Sequence, residues 1–174
     1  MTQAPTPMID FWKSAIRQQF HAAIDMLANA IQACPDSVWS GEPPRAFWYS
    51  AFHTLFFLDM YLAPVGEAEF RPPAPFGLTE LADGVPPERT YTKDELLAYL
   101  EHNRKKLDAV MAGMTEAWAV APCPFDYRAM GNGELLLYNM RHVQHHAAQL
   151  YLLLRQRTDS APDWVSKGGR KGRG

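Results

Sequence analysis

The residues of this chain best suited to chemistry are its histidines, because three of the six lie where helical spacing turns them toward an apolar interior. His142 and His146 stand four residues apart in the segment RHVQHHAAQL, so their side chains lie one turn apart on the same helix face. His53 lies in an earlier apolar segment, where aromatic residues flank it at helical spacing. The spacing predicts that all three imidazoles point inward.

An inward imidazole is costly unless its nitrogens have partners. A divalent metal would be a partner for all three histidines at once, and imidazole suits zinc, nickel, copper and iron. Three protein ligands leave a coordination position open, which is typical of a catalytic metal site and not of a structural one. The alternative is a set of hydrogen-bonded core histidines, and the residues alone leave both interpretations open.

Other site chemistries find no support in the sequence. Glu-x-x-His, His-Glu-x-x-His, a phosphate-binding glycine loop and a Gly-x-Ser-x-Gly turn are all absent. Cys34 and Cys123 are too far apart to read as a metal-binding pair or a disulfide framework. The formal charge of −2 excludes a strongly basic nucleic-acid binder, and we expect no nucleic-acid partner.

The elements that must position the histidines are marked out by proline. The fourteen prolines leave four long proline-free segments, residues 8–33, 45–62, 92–117 and 133–157, each with apolar residues at three- and four-residue steps. Thr92, followed by Glu95 three residues later, predicts a capping box at the third helix, and Asn132 is the expected N-cap of the fourth. The pattern predicts an all-α four-helix bundle.

The connections and ends complete this organisation. The segment from Pro64 to Tyr91 contains six prolines, which predicts a long connection between helices two and three that covers a site. We expect residues 1–160 to form one domain and residues 161–174 to be a disordered basic, glycine-rich tail. The N-terminal segment lacks a signal-peptide pattern and no apolar run is long enough to span a bilayer, so we expect a cytoplasmic protein without a membrane partner.

His53, together with the motif HVQHHAAQL, the helix pattern and the long second connection, resembles the DinB/YfiT-like superfamily, which includes metal-dependent enzymes. The resemblance covers about residues 8 to 157. Members often carry His-Arg-Gly-Gln where this chain has His146-Ala147-Ala148-Gln149, a departure that leaves the histidines in place. The resemblance implies an up-down-down-up bundle and a homodimer. It also implies a metal held by His53, His142 and His146.

The expected function follows from the open three-histidine site and from this resemblance. It is a metal-dependent enzyme acting on a small molecule, either a transferase that uses a low-molecular-weight thiol as co-substrate or a hydrolase. Zinc or nickel is the expected ion, with iron as another candidate. Two alternatives remain: a stress-response module that binds metal or ligand without turnover, and a structural dimerising bundle.

Two further polar residues lie beside the histidine pair. Gln149 is on the same face one turn after His146, where it would either hydrogen-bond a ligand or bound water, or be a buried amide. His145 lies about 60° off this face on a helical projection. We expect it to form an interhelical hydrogen bond, the alternatives being a pocket residue or a proton shuttle.

The remaining polar candidates have plainer interpretations. His21 and His102 are predicted to be solvated, because both fall on polar helix faces. Residues 126–128 are expected to form a surface turn, the alternative being a place at the pocket mouth. Asn103 is expected to form a helix-packing hydrogen bond, the alternative being a place in the lining of a pocket. No carboxylate lies on the inward helix faces near the three histidines, so the chain has no evident acid–base carboxylate.

Overall fold

A computed structural model describes residues 7–41, 43, 46–82 and 85–168 of the chain. Within these ranges every regular element is helical, apart from one isolated bridge between Pro122 and Gly131. The all-α prediction is therefore confirmed. The described helices include none that is both long and apolar enough to cross a membrane.

Four long helices and two short ones follow one another along the chain. They are α1 (Met8–Ala33), α2 (Asp36–Trp39), α3 (Phe47–Tyr61), α4 (Lys93–Gly113), α5 (Glu116–Val120) and α6 (Asn132–Thr158), with a 3-10 turn at Thr79–Leu81 between α3 and α4. The long helices match the four proline-free segments. The third segment is divided, since α4 ends at Gly113 and α5 begins after Thr115.

The helix ends test the capping predictions. The capping box is confirmed: the Glu95 backbone N–H donates to the Thr92 hydroxyl at 3.2 Å, and the Thr92 N–H donates to the Glu95 carboxylate at 2.8 Å. The N-cap predicted at Asn132 is wrong by one residue, because Gly131 caps α6. The Asn132 side chain instead donates to the Trp118 carbonyl at 3.0 Å and ties α6 to α5.

Helix α3, which carries His53, packs between two of the other long helices. It contacts both α4 and α6, and α1 contacts the same two helices. Two buried asparagines reach its backbone: Asn103 of α4 donates to the Leu55 carbonyl and Asn139 of α6 to the Leu58 carbonyl, both at 3.1 Å. Since a carboxamide must find partners when buried, these bonds restrict how far α4 and α6 can slide along α3. The packing role predicted for Asn103 is confirmed.

The segment between α3 and α4 is anchored by aromatic side chains. Phe70, Phe76 and Tyr91 are buried. The Phe76 ring stacks on Tyr99 of α4, with 4.2 Å between ring centroids. Packing of this kind adds about 0.5–1.5 kcal/mol beyond burial. These contacts hold the 3-10 turn at Thr79–Leu81 beside α3.

Residues 161–168, part of the segment predicted as a tail, lie against α1 and α6. The Gln19 side chain donates to the Ser166 carbonyl at 3.3 Å, and the Gly168 N–H donates to the Gln18 carbonyl at 3.1 Å. Residues 169–174 of that segment lie outside the described residues. The boundary at residue 160 remains a prediction.

His21 corrects one expectation. It was predicted to be solvated, but it is only 7% exposed and contacts the Asp108 carboxylate of α4 at 2.9 Å. Helical spacing places it on the polar face of α1, and α4 covers that part of the face. His102, in contrast, keeps 46% of its side chain exposed, as predicted.

Candidate metal centre

Helices α3 and α6 bring the three inward histidines together. His53 of α3 faces His142 and His146 of α6, with ring centroids 5.5 Å and 4.9 Å away. The centroids of His142 and His146 are 4.6 Å apart. Each imidazole offers one nitrogen to a set whose members all lie within 4.8 Å of one another. One ion could contact all three nitrogens from such a position.

The register of the two helices makes this convergence possible. The Asn139–Leu58 hydrogen bond joins α6 and α3 at one level. His142 lies about one helical turn after Asn139 on α6, and His53 lies more than one turn before Leu58 on α3. Because the side chains of i and i+4 lie on one face, His146 continues the same row. We call the three residues His53, His142 and His146 the histidine cluster.

Two of the three imidazoles have an oxygen partner on the side away from the cluster. His53 Nδ1 lies 2.6 Å from a Glu80 carboxylate oxygen, and His146 Nδ1 lies 2.8 Å from the Gln149 amide oxygen. In each pair the imidazole Nδ1–H donates, because a carboxylate or amide oxygen can only accept. The proton is thereby held at Nδ1, and the Nε2 lone pair stays free for a metal.

His142 provides the third nitrogen and has no such partner. Its Nδ1 is buried and makes no hydrogen bond to the residues that the structure describes. Burial, followed by the charges of the neighbouring histidines, lowers the pKa of His142 to about 3. Burial and His53 lower the pKa of His146 to about 4. Both imidazoles are therefore neutral at pH 7.

These observations test whether the residues fit a divalent metal. All three candidate ligands are imidazoles. Outer oxygens orient the rings of His53 and His146, and the buried Nδ1 of His142 lacks a partner. Metal-bound histidines in proteins usually show this arrangement, with the second ring nitrogen donating to an oxygen. The residues present fit a metal of the zinc and nickel type.

Glu80 was missed by the sequence reasoning. Its side chain is 2% exposed, and besides the contact to His53 it raises the pKa of the Tyr49 hydroxyl, after burial as the larger cause. The expectation of no carboxylate holds for the inward helix faces, but Glu80 comes from the 3-10 turn in the long connection. Nothing local distinguishes it from the other acidic residues of that connection. Only the placement of that segment brings it to His53.

Gln149 and His145 both lie on the outer side of α6. Gln149 is exposed and contacts His146, so the interpretation as a buried amide is wrong. Its amide nitrogen lies 3.0 Å from His145 Nε2. The hydrogen bond predicted for His145 therefore exists within α6 and does not join two helices. Together the two residues form a short chain of contacts leading from His146 to the surface.

Aromatic rings form one wall of the cluster. The Phe57 ring lies 4.8 Å from that of His53 and 5.8 Å from that of His142, and the Tyr61 ring lies 6.4 Å from that of His142. The other side is accessible, since 31% of the His53 side chain is exposed. The cluster is therefore in partial contact with solvent at His53.

The loop between α5 and α6 places one cation beside this wall. Arg128, expected in a surface turn, is half-buried and donates from Nη2 to the Tyr61 hydroxyl at 2.7 Å. Tyr127 keeps the surface position expected for it, and its hydroxyl donates to Glu67 of the long connection at 2.9 Å. Asp126 is exposed. Of these three loop residues, Arg128 alone lies next to a ring that borders the cluster.

Comparison with known proteins places the whole site inside one family. Among curated proteins the chain has no match. The family model described as the DinB superfamily matches residues 19–150, which include all three histidines of the cluster, Glu80 and Arg128. A match over most of the chain, together with an all-helical fold that brings His53, His142 and His146 together, shows that the chain belongs to the DinB superfamily.

Proposed function

We propose that this protein is a metal-dependent enzyme whose divalent ion is held by His53, His142 and His146. The observation that carries the proposal is the convergence of three imidazoles, each with one nitrogen within 4.8 Å of the others. The oxygen partners of His53 and His146 add support, because they hold those two rings in the tautomer that a metal requires. Zinc or nickel suits a set of imidazole nitrogen donors.

We further propose that the reaction is transfer of a low-molecular-weight thiol to a small electrophilic substrate. A metal ion at this site would supply deprotonation of a coordinated thiol without a separate base. Hydrolysis usually relies on a general base positioned near the attacking water. Glu80 is the carboxylate nearest the cluster among the described residues, and it is engaged by His53 on the side away from the other two histidines. This placement favours the transferase over the hydrolase.

We propose an up-down-down-up arrangement for the four long helices. Contacts between α3 and α4 support a parallel pair, since Leu55 bonds Asn103 and the later Asp59 bonds the later Lys106. Contacts between α1 and α4 support an antiparallel pair, because residue 17 meets residue 108 while residue 25 meets residue 104. The contacts of Leu58 with Asn139 and of His53 with His146 support antiparallel α3 and α6.

A homodimer is proposed on the strength of the family resemblance. Three large apolar side chains at the start of α1 are more than half exposed and offer apolar surface for self-association, namely Met8, Phe11 and Trp12. Light scattering of the purified protein would measure the mass, and a monomer at micromolar concentration would contradict this part of the proposal. The metal site does not depend on it.

Metal content is the first test of the function. Purified protein, loaded with zinc or nickel and dialysed, should retain about one ion per chain by elemental analysis. His146→Ala should lose the ion, whereas His102→Ala, which removes an exposed histidine outside the cluster, should keep it. Retention of less than a tenth of an ion per chain in the unmodified protein would overturn the proposal.

The reaction is tested separately from the metal. Loaded protein should accelerate conjugation of a small thiol with an electrophile such as 1-chloro-2,4-dinitrobenzene, and His146→Ala should abolish the acceleration while circular dichroism stays unchanged. Hydrolysis of activated esters without thiol transfer would favour the hydrolase. A folded protein that holds one ion per chain and catalyses neither reaction would instead be a binding module.

A further inference from the structure

The side chain of Arg128 is enclosed by three tyrosine rings next to the histidine cluster. Its guanidinium carbon lies 4.2 Å from the ring centroid of Tyr138, 4.9 Å from that of Tyr61 and 5.2 Å from that of Tyr127. We call this arrangement the tyrosine cage. The backbone of Arg128 is held as well, since its N–H donates to the Phe125 carbonyl at 2.9 Å. Ring contacts and this hydrogen bond therefore fix the position of the guanidinium.

The guanidinium has more donors than the cage satisfies. It donates from Nη2 to the Tyr61 hydroxyl, the Tyr138 hydroxyl is a second polar neighbour, and its Nε is buried without a partner. A guanidinium carries five N–H donors in a planar fork. Contact with aromatic faces stabilises its charge but does not replace these hydrogen bonds.

No counter-ion accompanies this charge in the part of the chain that the structure describes. None of the ion pairs formed by described residues includes Arg128. The carboxylate of Glu67, which reaches the cage, accepts a hydrogen bond from Tyr127. Burial raises the pKa of the Tyr61 hydroxyl, so this residue stays neutral and cannot act as the counter-ion. A half-buried arginine without an acid partner is available to an anion from solution.

The cage and the histidine cluster share a wall. The Tyr61 ring contacts the guanidinium on one side and lies 6.4 Å from the His142 ring. Imidazole ligands carry no negative charge, and the one carboxylate in contact with the cluster, Glu80, lies beside His53, whereas Arg128 lies beside the Tyr61 ring. The Arg128 side of the cluster therefore favours a negatively charged ligand. A molecule with an anionic group at Arg128 would reach the cluster with its other end.

We propose that the tyrosine cage is a binding site for the carboxylate of a small organic acid, with Arg128 as the residue that recognises it. The assignment extends the proposed function, since it makes this acid the electrophilic substrate whose reacting end lies at the histidine cluster. The planar fork of Arg128 matches the two oxygens of a carboxylate. The rings of Tyr138 and Tyr61 hold the guanidinium in place, and the exposed Tyr127 lies on the solvent side of the cage.

The test uses the metal-free protein and sodium benzoate as the probe. The ¹H–¹⁵N resonance of the Arg128 Nε–H should shift saturably with benzoate and not with benzamide, its uncharged analogue. Arg128→Gln should weaken benzoate binding at least tenfold, whereas Arg141→Gln, which removes an exposed arginine of α6, should leave it unchanged. Arg128→Lys keeps the charge without the fork and should lose part of the affinity.

Several results would overturn the assignment. Equal shifts with benzoate and benzamide, or unchanged benzoate affinity in Arg128→Gln, would mean that Arg128 only fastens the loop. Tighter binding of inorganic phosphate than of benzoate would show that the site prefers a phosphate group and would refute a carboxylate as its ligand. If Arg128→Gln does not fold, unchanged affinity in Arg128→Lys would refute recognition by the fork. No metal is present in this titration, so a failed metal proposal and a failed carboxylate site give separate results.

Discussion

Glu80 offers the sharpest test of how the site is built, because its carboxylate contacts His53 from a segment that no helix pattern predicts. Replacing it by glutamine keeps the size of the side chain and an oxygen that can accept from His53 Nδ1–H, but removes the negative charge. The contact is short, 2.6 Å, and the Glu80 side chain is 2% exposed, so water screens the interaction little. The charge should therefore strengthen His53 as a metal ligand.

The expected magnitude follows from the type of contact. Loss of an outer partner of a metal-bound histidine usually weakens metal affinity by about 10- to 100-fold, which corresponds to about 1.4–2.7 kcal/mol. Glu80→Gln retains a neutral hydrogen bond, so we expect about a tenfold loss, at the lower end of that range. Glu80→Ala removes the partner altogether and should approach the hundredfold loss.

Competition against a chromophoric zinc chelator at pH 7.5 would measure the affinities. Glu69→Gln is the matched control, because Glu69 is an exposed acid of the same connection and changes the net charge equally. Circular dichroism would establish that each variant is folded. Zinc affinity of Glu80→Gln within twofold of the unmodified protein, or equal to that of Glu69→Gln, would refute the role assigned to Glu80.

Three further predictions concern the cap, its pH dependence and the metal. Thr92→Ala should lower the unfolding free energy by about 1 kcal/mol in a urea titration, with Thr90→Ala as the control; no change would refute the capping box. Arg89 and then Thr92 lower the pKa of Glu95 to about 2. The stabilisation that the ionised Glu95 carboxylate provides through these contacts is therefore fully present above its unfolded pKa of about 4.3, and it is lost as the pH falls toward 2. Glu95→Gln should flatten that part of the stability profile, and an identical profile would contradict the shift. Zinc at about 100 times its Kd should stabilise the protein by about 2.7 kcal/mol in thermal unfolding, and equal stabilisation of His146→Ala would argue against the cluster as the site.

The helices are the part of the fold that local patterns predict well. Proline excludes itself from helix interiors and the apolar period identifies the buried face, so the bounds of α1, α3 and α6 agree with the proline-free segments to within about two residues. The capping box of α4 is equally local. The division after Gly113 and the cap at Gly131 were not predicted, because helix ends depend on a few contacts beyond the helix.

The three histidines are predictable for the same reason, and their partners are not. Periodicity states on which side of its own helix a residue lies, which was enough to turn His53, His142 and His146 inward. It does not state what lies opposite. His21 shows the difference, since it falls on the polar face of α1 and is nevertheless covered by Asp108 of α4.

By itself, then, the sequence determined the helices, the inward direction of the histidines and, through the motif around them, the DinB superfamily. The tertiary structure decided which groups surround the histidines: Glu80 contacts His53, and Arg128 contacts the Tyr61 ring that borders the cluster. Both arrive on irregular segments 27 and 67 residues away along the chain from their partners. The physical reason is that a helix repeats its own geometry, whereas the path of a loop depends on the surfaces on which it packs.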